Sequence, residues 1–235
     1  MLTRHRVPEK MDDPALPSAE HDHALRGLAR LNLISLAHRL LWPPLRALAR
    51  RTDRPLRLLD VASGAADLPV RLDRVARRDG VRLHWTLSDR SAHALGHALT
   101  RARTAGLDCR AVQVDAVREP LPQADVVMNS LFLHHFDEAE ATGILRRMRE
   151  AAGLAVGVTD LRRTHLALRL VWLGSRLVTR SPVVRHDATA SVRAAHEPAE
   201  VRDMARGAGL DGATIEVADP VRWRLWWARD EGMPA

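Results

Sequence analysis

Tyrosine is absent from the 235 residues, phenylalanine occurs twice, and aromatics make up 3% of the chain. A stacking platform for single-stranded nucleic acid needs successive aromatic side chains and is disfavoured. Cys109 is the only cysteine. No internal disulfide can therefore form, and a reducing, cytoplasmic setting is expected. No thiol pair or tightly spaced histidine cluster suggests a structural metal, so none is expected. No window approaches eighteen uncharged apolar residues, so no membrane span is expected, and Met1 to Glu20 lacks the apolar core of a signal peptide. Lysine is nearly missing too: Lys10 is the only one, so 35 of the 36 basic residues are arginine, and the net charge is +7. The arginines are scattered rather than gathered in a block. That pattern accords with a GC-rich genome better than with a nucleic-acid tract.

What is present is enough apolar residue, 46%, for a sizeable core. Residues 1–19 read as a flexible tail, and residues 20–235 as a single domain. From about Glu20 to Arg51, Leu25, Leu28, Leu31, Leu36, Leu40 and Leu41 recur at helical spacing, and Pro43-Pro44 should break or kink the run. These lid helices, up to residue 54, precede the first strand, Leu56 to Val61. Strands and helices then alternate. Strands are expected at Val81–Ser88, Cys109–Val114, Ala124–Ser130 and Leu154–Thr159, with helices at 67–79, 91–105 and 137–152. Asp137 is the expected N-cap of the last. Such alternation implies a parallel sheet with helices on both faces. Residues 161–195 interrupt it as a cap, an amphipathic stretch followed by a polar loop from Arg180 to Ala195. After a helix from Glu197, strands at 213–218 and 221–228 joined by Asp219-Pro220 must be antiparallel neighbours. The expected class is α/β: a doubly wound, Rossmann-like, mostly parallel seven-stranded sheet ending in an antiparallel hairpin.

The turn after the first strand, Asp60-Val61-Ala62-Ser63-Gly64-Ala65-Ala66-Asp67, has the form of a nucleotide-binding loop at the carboxyl end of a parallel strand. Its charges are wrong for a phosphate, which wants bare helix N–H groups. Asp67 at the helix start would cap those groups and repel an anion. A cationic adenosine ligand without phosphate, S-adenosylmethionine, fits the charges.

The Asp60–Asp67 turn, Asp89, Val114-Asp115-Ala116 and Leu131-Phe132-Leu133-His134-His135-Phe136 follow one another in a telling order. Over about residues 56–160 the chain resembles the class I S-adenosylmethionine-dependent methyltransferases, in the small-molecule branch that includes the ubiquinone/menaquinone C-methyltransferases. The resemblance implies that Asp60 faces the methionine amino group, that Asp89 beside Arg90 accepts from the ribose hydroxyls, and that Asp115 and Ala116 meet the adenine. Ala62, Gly64, Ala66, Asp67, Asn129 and Leu131 complete the implied cofactor set. The family's glycine-x-glycine-x-glycine turn is here Ala62-Ser63-Gly64-Ala65-Ala66, and the methyl of Ala66 is expected where the backbone should approach the ligand.

Methyl transfer asks mainly for in-line positioning, and for a base where a phenol or enol must lose its proton. Histidine suits that task. His134, His135, His186 and His196 are candidates, with His135 and His186 the best placed, and Asp187 adjacent to orient the latter. The expected reaction is O- or C-methylation of a small, apolar, phenol-, enol- or quinone-like acceptor. The alternatives are an RNA or protein methyltransferase, or a non-catalytic S-adenosylmethionine-binding protein of the same fold. The amino-methylating motif Asn/Asp-Pro-Pro-aromatic is absent, the site reading Asn129-Ser130-Leu131-Phe132. A nucleic-acid partner is therefore not expected. A dehydrogenase needs glycine where Asp67 stands. Residues 165–179 carry Leu166, Leu170, Trp172, Leu173 and Leu177; interfacial binding through these and flanking arginines is an alternative reading, although the stretch is short and its arginines are few.

Overall fold

The computed structural model describes residues 2–12 and 37–229. Seven strands form one sheet in the order β3-β2-β1-β4-β5-β7-β6. They are β1 (Leu56–Val61), β2 (Leu83–Asp89), β3 (Cys109–Gln113), β4 (Ala124–Ser130), β5 (Ala152–Leu161), β6 (Thr214–Val217) and β7 (Arg222–Ala228). The first five are parallel to one another, while β7 runs antiparallel to both β5 and β6. Leu56, Leu58, Leu59 and Val61 of β1 are all buried, because helices cover both faces and leave no side for water. The hairpin link is pinned by Asp219, whose Oδ1 accepts from the N–H groups of Val221 and Arg222 at 2.7 and 2.8 Å.

The helices are α1 (Ala37–Ala49), α2 (Asp67–Arg78), α3 (Ala92–Thr104), α4 (Glu138–Ala151), α5 (His165–Val178), α6 (Pro182–Ala194) and α7 (Pro198–Gly207). One core lies between the sheet and α1, α2 and α3, the other between the sheet and α4 and α7. Asp137 caps α4, accepting from the Glu140 N–H at 2.9 Å while the Glu140 carboxylate returns a bond to the Asp137 N–H.

Two expectations are corrected. Of the break or kink expected at Pro43-Pro44, the break does not occur: α1 runs through both prolines. A proline at 44 frees the carbonyl of Leu40 from its helical donor, and the Arg224 guanidinium from β7 donates to that oxygen at 2.9 Å. The rest of the expected lid, with Leu25, Leu28, Leu31 and Leu36, lies outside the described residues. The polar loop from Arg180 to Ala195 is instead α6. Ser181 caps it, Pro182 occupies its first turn, and Val183, Val184, Ala190, Val192 and Ala194 are buried.

Residues 2–12, part of the stretch read as a tail, lie against α6 and the turn after β4. The His5 N–H donates to the Arg193 carbonyl at 3.0 Å, and Arg4 donates to the carbonyls of Ala194 and Phe136 at 2.7 and 2.6 Å. The buried carboxylate of Asp187 accepts the N–H groups of Lys10 and Met11 at 2.9 and 3.0 Å.

Candidate functional site

The strand order reverses between β1 and β4, and a hollow of about 1630 Å³ opens there beyond the carboxyl ends of the strands. That is where doubly wound sheets bind their ligands. The turns beside it are tied together by backbone and hydroxyl groups. Ser63 Oγ and Ser88 Oγ both donate to the Asp60 carbonyl at 2.9 Å, and the Ser63 N–H donates to the Ser88 carbonyl at 2.8 Å. Asp89 spans the gap: its Oδ2 accepts from the Gly64 N–H and its Oδ1 from the Ser91 N–H, each at 3.0 Å. A carboxylate offers about four lone-pair directions, so Asp89 can accept two more donors.

Among the described residues three non-glycine residues have left-handed backbones, and all flank this opening: Ala62 at φ 55°, Ala66 at φ 56° and Leu131 at φ 59°. Such conformations each cost about 1–2 kcal/mol and gather where function dictates the backbone. Gly64 at φ 50° adopts the same region without that cost.

Asp60, Ala62, Gly64 and Asp67 from the first turn line the hollow, as do Asp89 and Arg90, Asp115 and Ala116, and Leu131. Two residues assigned to the cofactor do not. Ala66 is fully buried, its methyl packed in the core of α1, α2 and β1 rather than against the opening. Asn129 is also fully buried, its amide donating toward Met148 Sδ at 3.8 Å on α4. The next residue, Ser130, takes its place in the lining. Asp67 does not cap α2 either: the capping position is Ala66, without a side-chain bond, and Asp67 forms an ion pair with Arg101 of α3. The negative charge still stands in the first turn of the helix, opposing an anion there.

Asp60 is 3% exposed. Burial pushes its carboxyl up to about 7, with Asp89 and Asp67 adding to the rise against the opposing Ser63 hydroxyl. A carboxyl held so far above its ordinary range is one that a cationic ligand would restore to the charged form. Asp115 is turned by its own loop, Oδ1 accepting from the Val117 N–H at 2.9 Å.

The two candidate bases part company. His135, half-buried in the short 3-10 turn Leu133–His135, lines the hollow near Phe132, with ring centroids 6.5 Å apart. His186 is not brought there. Because 182–194 is a helix, adjacent residues diverge by about 100°: Asp187 points inward while His186 stands at the surface in a groove between α5 and α6. Its Nδ1 meets Asp187 Oδ1 at 2.9 Å all the same.

Sequence reasoning missed a buried relay at the rim. His134 Nδ1 lies 2.8 Å from Asp160 Oδ1, at the end of β5, and His134 Nε2 lies 3.5 Å from Glu9 of the N-terminal segment. Burial works against a charged imidazole, but the two carboxylates outweigh it and raise His134 to about 10. Asp160 is held down at about 2, its burial overcome by His134 and by the N–H groups of Leu161 and His134. The result is a buried cation between two anions. Glu9, His134 and His135 also bring one ligand atom each within 4.8 Å of one another, the one grouping of metal-ligating type among the described residues. Glu9 and Asp160 were out of reach of sequence reasoning because they meet His134 only through the fold, 125 and 26 residues away.

Residues 58–152, from β1 to the start of β5, match a family model described as a methyltransferase domain. No curated protein matches the sequence. Among solved structures, the S-adenosylmethionine-dependent methyltransferase SibL in its apo form is similar with a TM-score of 0.66 at 21% identity, over 92% of this chain and 60% of that one. An O-methyltransferase family 2 protein from Planctomyces limnophilus, in complex with apigenin, gives 0.59 at 16%, over 89% and 62%. Magnesium protoporphyrin IX methyltransferase from Synechocystis with bound S-adenosylhomocysteine gives 0.56 at 15%, over 94% and 91%. The chain thus spans 60% and 62% of the length of the first two. At these identities the likeness is one of fold.

Proposed function

We propose that the protein transfers a methyl group from S-adenosylmethionine to a small, apolar acceptor with a phenol, enol or quinone-like ring. The observation that carries this reading is the convergence of Asp60, Asp89 and Asp115 on one hollow at the switch point of the sheet. Three carboxylates and a first-turn acid suit a cationic nucleoside and oppose a pyrophosphate. Asp60 pairs with the methionine ammonium, Asp89 accepts from the ribose, and Asp115 with Ala116 holds the adenine. The bound sulfonium supplies an already activated methyl group; the chain supplies orientation and exclusion of water. Leu131, Phe132, Leu161, Val171 and Val221 offer an apolar wall for the acceptor. His135 stands at that wall to accept the proton from the acceptor's hydroxyl at its imidazole nitrogen.

Calorimetry with S-adenosylhomocysteine tests the cofactor set. Asp89→Ala should weaken binding by about 10- to 100-fold, the loss of charge-assisted bonds worth 1.5–3 kcal/mol. Asp89→Asn, which keeps an acceptor for the Gly64 N–H, should recover part of it. Unchanged affinity in both would sink the ribose assignment. Neither NAD nor ATP should raise the melting temperature, whereas the two adenosyl ligands should.

A second expectation concerns the base. His135→Ala should slow release of S-adenosylhomocysteine by about 100-fold or more against a panel of phenols, with cofactor affinity kept. His186→Ala should turn over like the parent. Equal rates in the His135 variant would remove that imidazole from the mechanism.

A further inference from the structure

Most of the large apolar side chains exposed among the described residues are gathered in one place. Among the described residues seven large apolar side chains are exposed, and five of them, Leu166, Leu170, Trp172, Leu173 and Leu177, lie on α5. The four leucines recur at intervals of four, three and four residues and so form one stripe along the helix. Their exposures run from 43% to 78%. A core helix buries such a stripe; here it faces outward, while the opposite side, with Ala167 and Ser175, is buried.

The charge around the stripe is one-sided. From His165 to Ala195 the sequence holds five arginines and a single acid, Asp187, which is buried. Arg169, Arg176, Arg180, Arg185 and Arg193 have no acidic partner among the described residues. Four of the five line the groove between α5 and α6, together with Trp172 and Leu173, and no acid lines it. Arg176 lies over the Trp172 ring at 3.8 Å from its centroid. The arginines of α5 alone are few; the fold adds Arg185 and Arg193 from α6, in a stretch expected to be a loop.

We propose that α5 and α6 form a docking face for an anionic phospholipid bilayer. The leucine stripe enters the boundary between headgroups and acyl chains, Trp172 sits at headgroup level, and the unpaired arginines meet the lipid phosphates. An apolar stripe, a tryptophan and a rim of unpaired cations are the combination that interfacial binding requires. A second copy of the chain would set these arginines against one another across a twofold contact, an unfavourable pairing. A nucleic acid would use the arginines but leave five large apolar side chains in water. Leu170, Val171 and Gly174 of the same helix also line the hollow at the sheet ends. The helix is therefore a wall shared between the bilayer face and the site, which suits an acceptor drawn from lipid. The docking face itself does not depend on the methyl-transfer reading.

Vesicle sedimentation tests it with the full chain, without cofactor. Vesicles of phosphatidylcholine alone are compared with vesicles carrying roughly one quarter phosphatidylglycerol. The protein should partition at least about tenfold more strongly onto the anionic vesicles and be released by roughly 0.5 M salt. Leu173→Glu with Leu177→Glu should lower that partition about tenfold or more, and Arg169→Glu with Arg193→Glu should do the same. All four side chains are exposed, so both variants should melt with the parent and bind S-adenosylhomocysteine unchanged; that second readout separates failure of the docking face from failure of the methyl-transfer reading. Absence of vesicle binding, equal binding to neutral vesicles, or indifference to the leucine changes would overturn the proposal. So would a dimer in gel filtration that Leu173→Glu splits, or a single-stranded RNA bound where vesicles are not.

Discussion

Replacing Asp60 by asparagine should make the ligand-free protein more stable at pH 8 and the cofactor weaker by about 30-fold or more, as removal of one partner of a buried charge pair costs 2–5 kcal/mol. Both effects have one cause. Asp60 is 3% exposed, and its carboxyl is pushed up to about 7 from 3.8 chiefly by burial. Between those two pH values the folded chain holds a proton that the unfolded chain has released. Stability is therefore lost as the pH rises from 3.8 and levels off above 7. The full penalty is on the order of 4 kcal/mol, or about 8–16 °C in melting temperature for a chain of this size. An uncharged isostere escapes it, so the variant's advantage should vanish near pH 3, grow through pH 5 and 6, and be level at pH 8. The same carboxyl must be charged to pair with an ammonium, so cofactor affinity in the parent should fall below pH 7 by up to about tenfold per pH unit. A stability gain that ignores pH, or an affinity that survives the substitution, would remove Asp60 from the site. A destabilising residue retained for binding is the usual stability–activity trade-off.

Much of this was legible in the chain because it is written in local pattern. Of the parallel strands, β2 and β4 end in Asp89 and Ser130, β1 carries Asp60 one residue before its end, and Asp115 follows β3 by two residues. Asp60, Asp89 and Asp115 could be read together because each stands at or near such a strand's end. The failures have the opposite character. The helix α6 begins with proline and buries small residues, Ala190 and Ala194 among them, so its face looked polar. His186 went wrong with it, since a loop sets no angle between neighbours and a helix does. Ala66 was judged by analogy with a glycine turn. Its methyl is buried in the core with α1, α2 and β1, away from the hollow. Glu9 carried no signal at all. Only the docking of residues 2–12 onto α6, through Asp187, gives that glutamate a position.

The relay at the rim ties that docked segment to the end of β5 and should be costly to break. Asp160→Ala should destabilise the protein by about 3–5 kcal/mol, because it strands a buried imidazolium. The loss in melting temperature should be about 6–20 °C. His134 is raised to about 10 from 6.5, so its contribution is full below pH 6.5 and is lost as the pH climbs through 10. Asp160 is held at about 2 from 3.8, so its share is present above pH 3.8 and is lost as the pH falls through 2. The difference between parent and variant should therefore be widest between about pH 4 and 6.5 and narrow toward pH 10. Should Asp160→Ala fail to fold, Asp160→Asn, which keeps an acceptor for the His134 N–H, should show the same pH trend at smaller amplitude. The relay also anchors Glu9, which meets His134 Nε2 at 3.5 Å. Loosening it should expose the chain after Arg4, Arg6 and Lys10 to trypsin well below the melting temperature, where cleavage follows local opening. A variant whose stability loss is the same at pH 5 and pH 9, and whose N-terminal segment is cut no faster than the parent's, would mean that Asp160 merely fills space at the end of β5 rather than holding a charge in place.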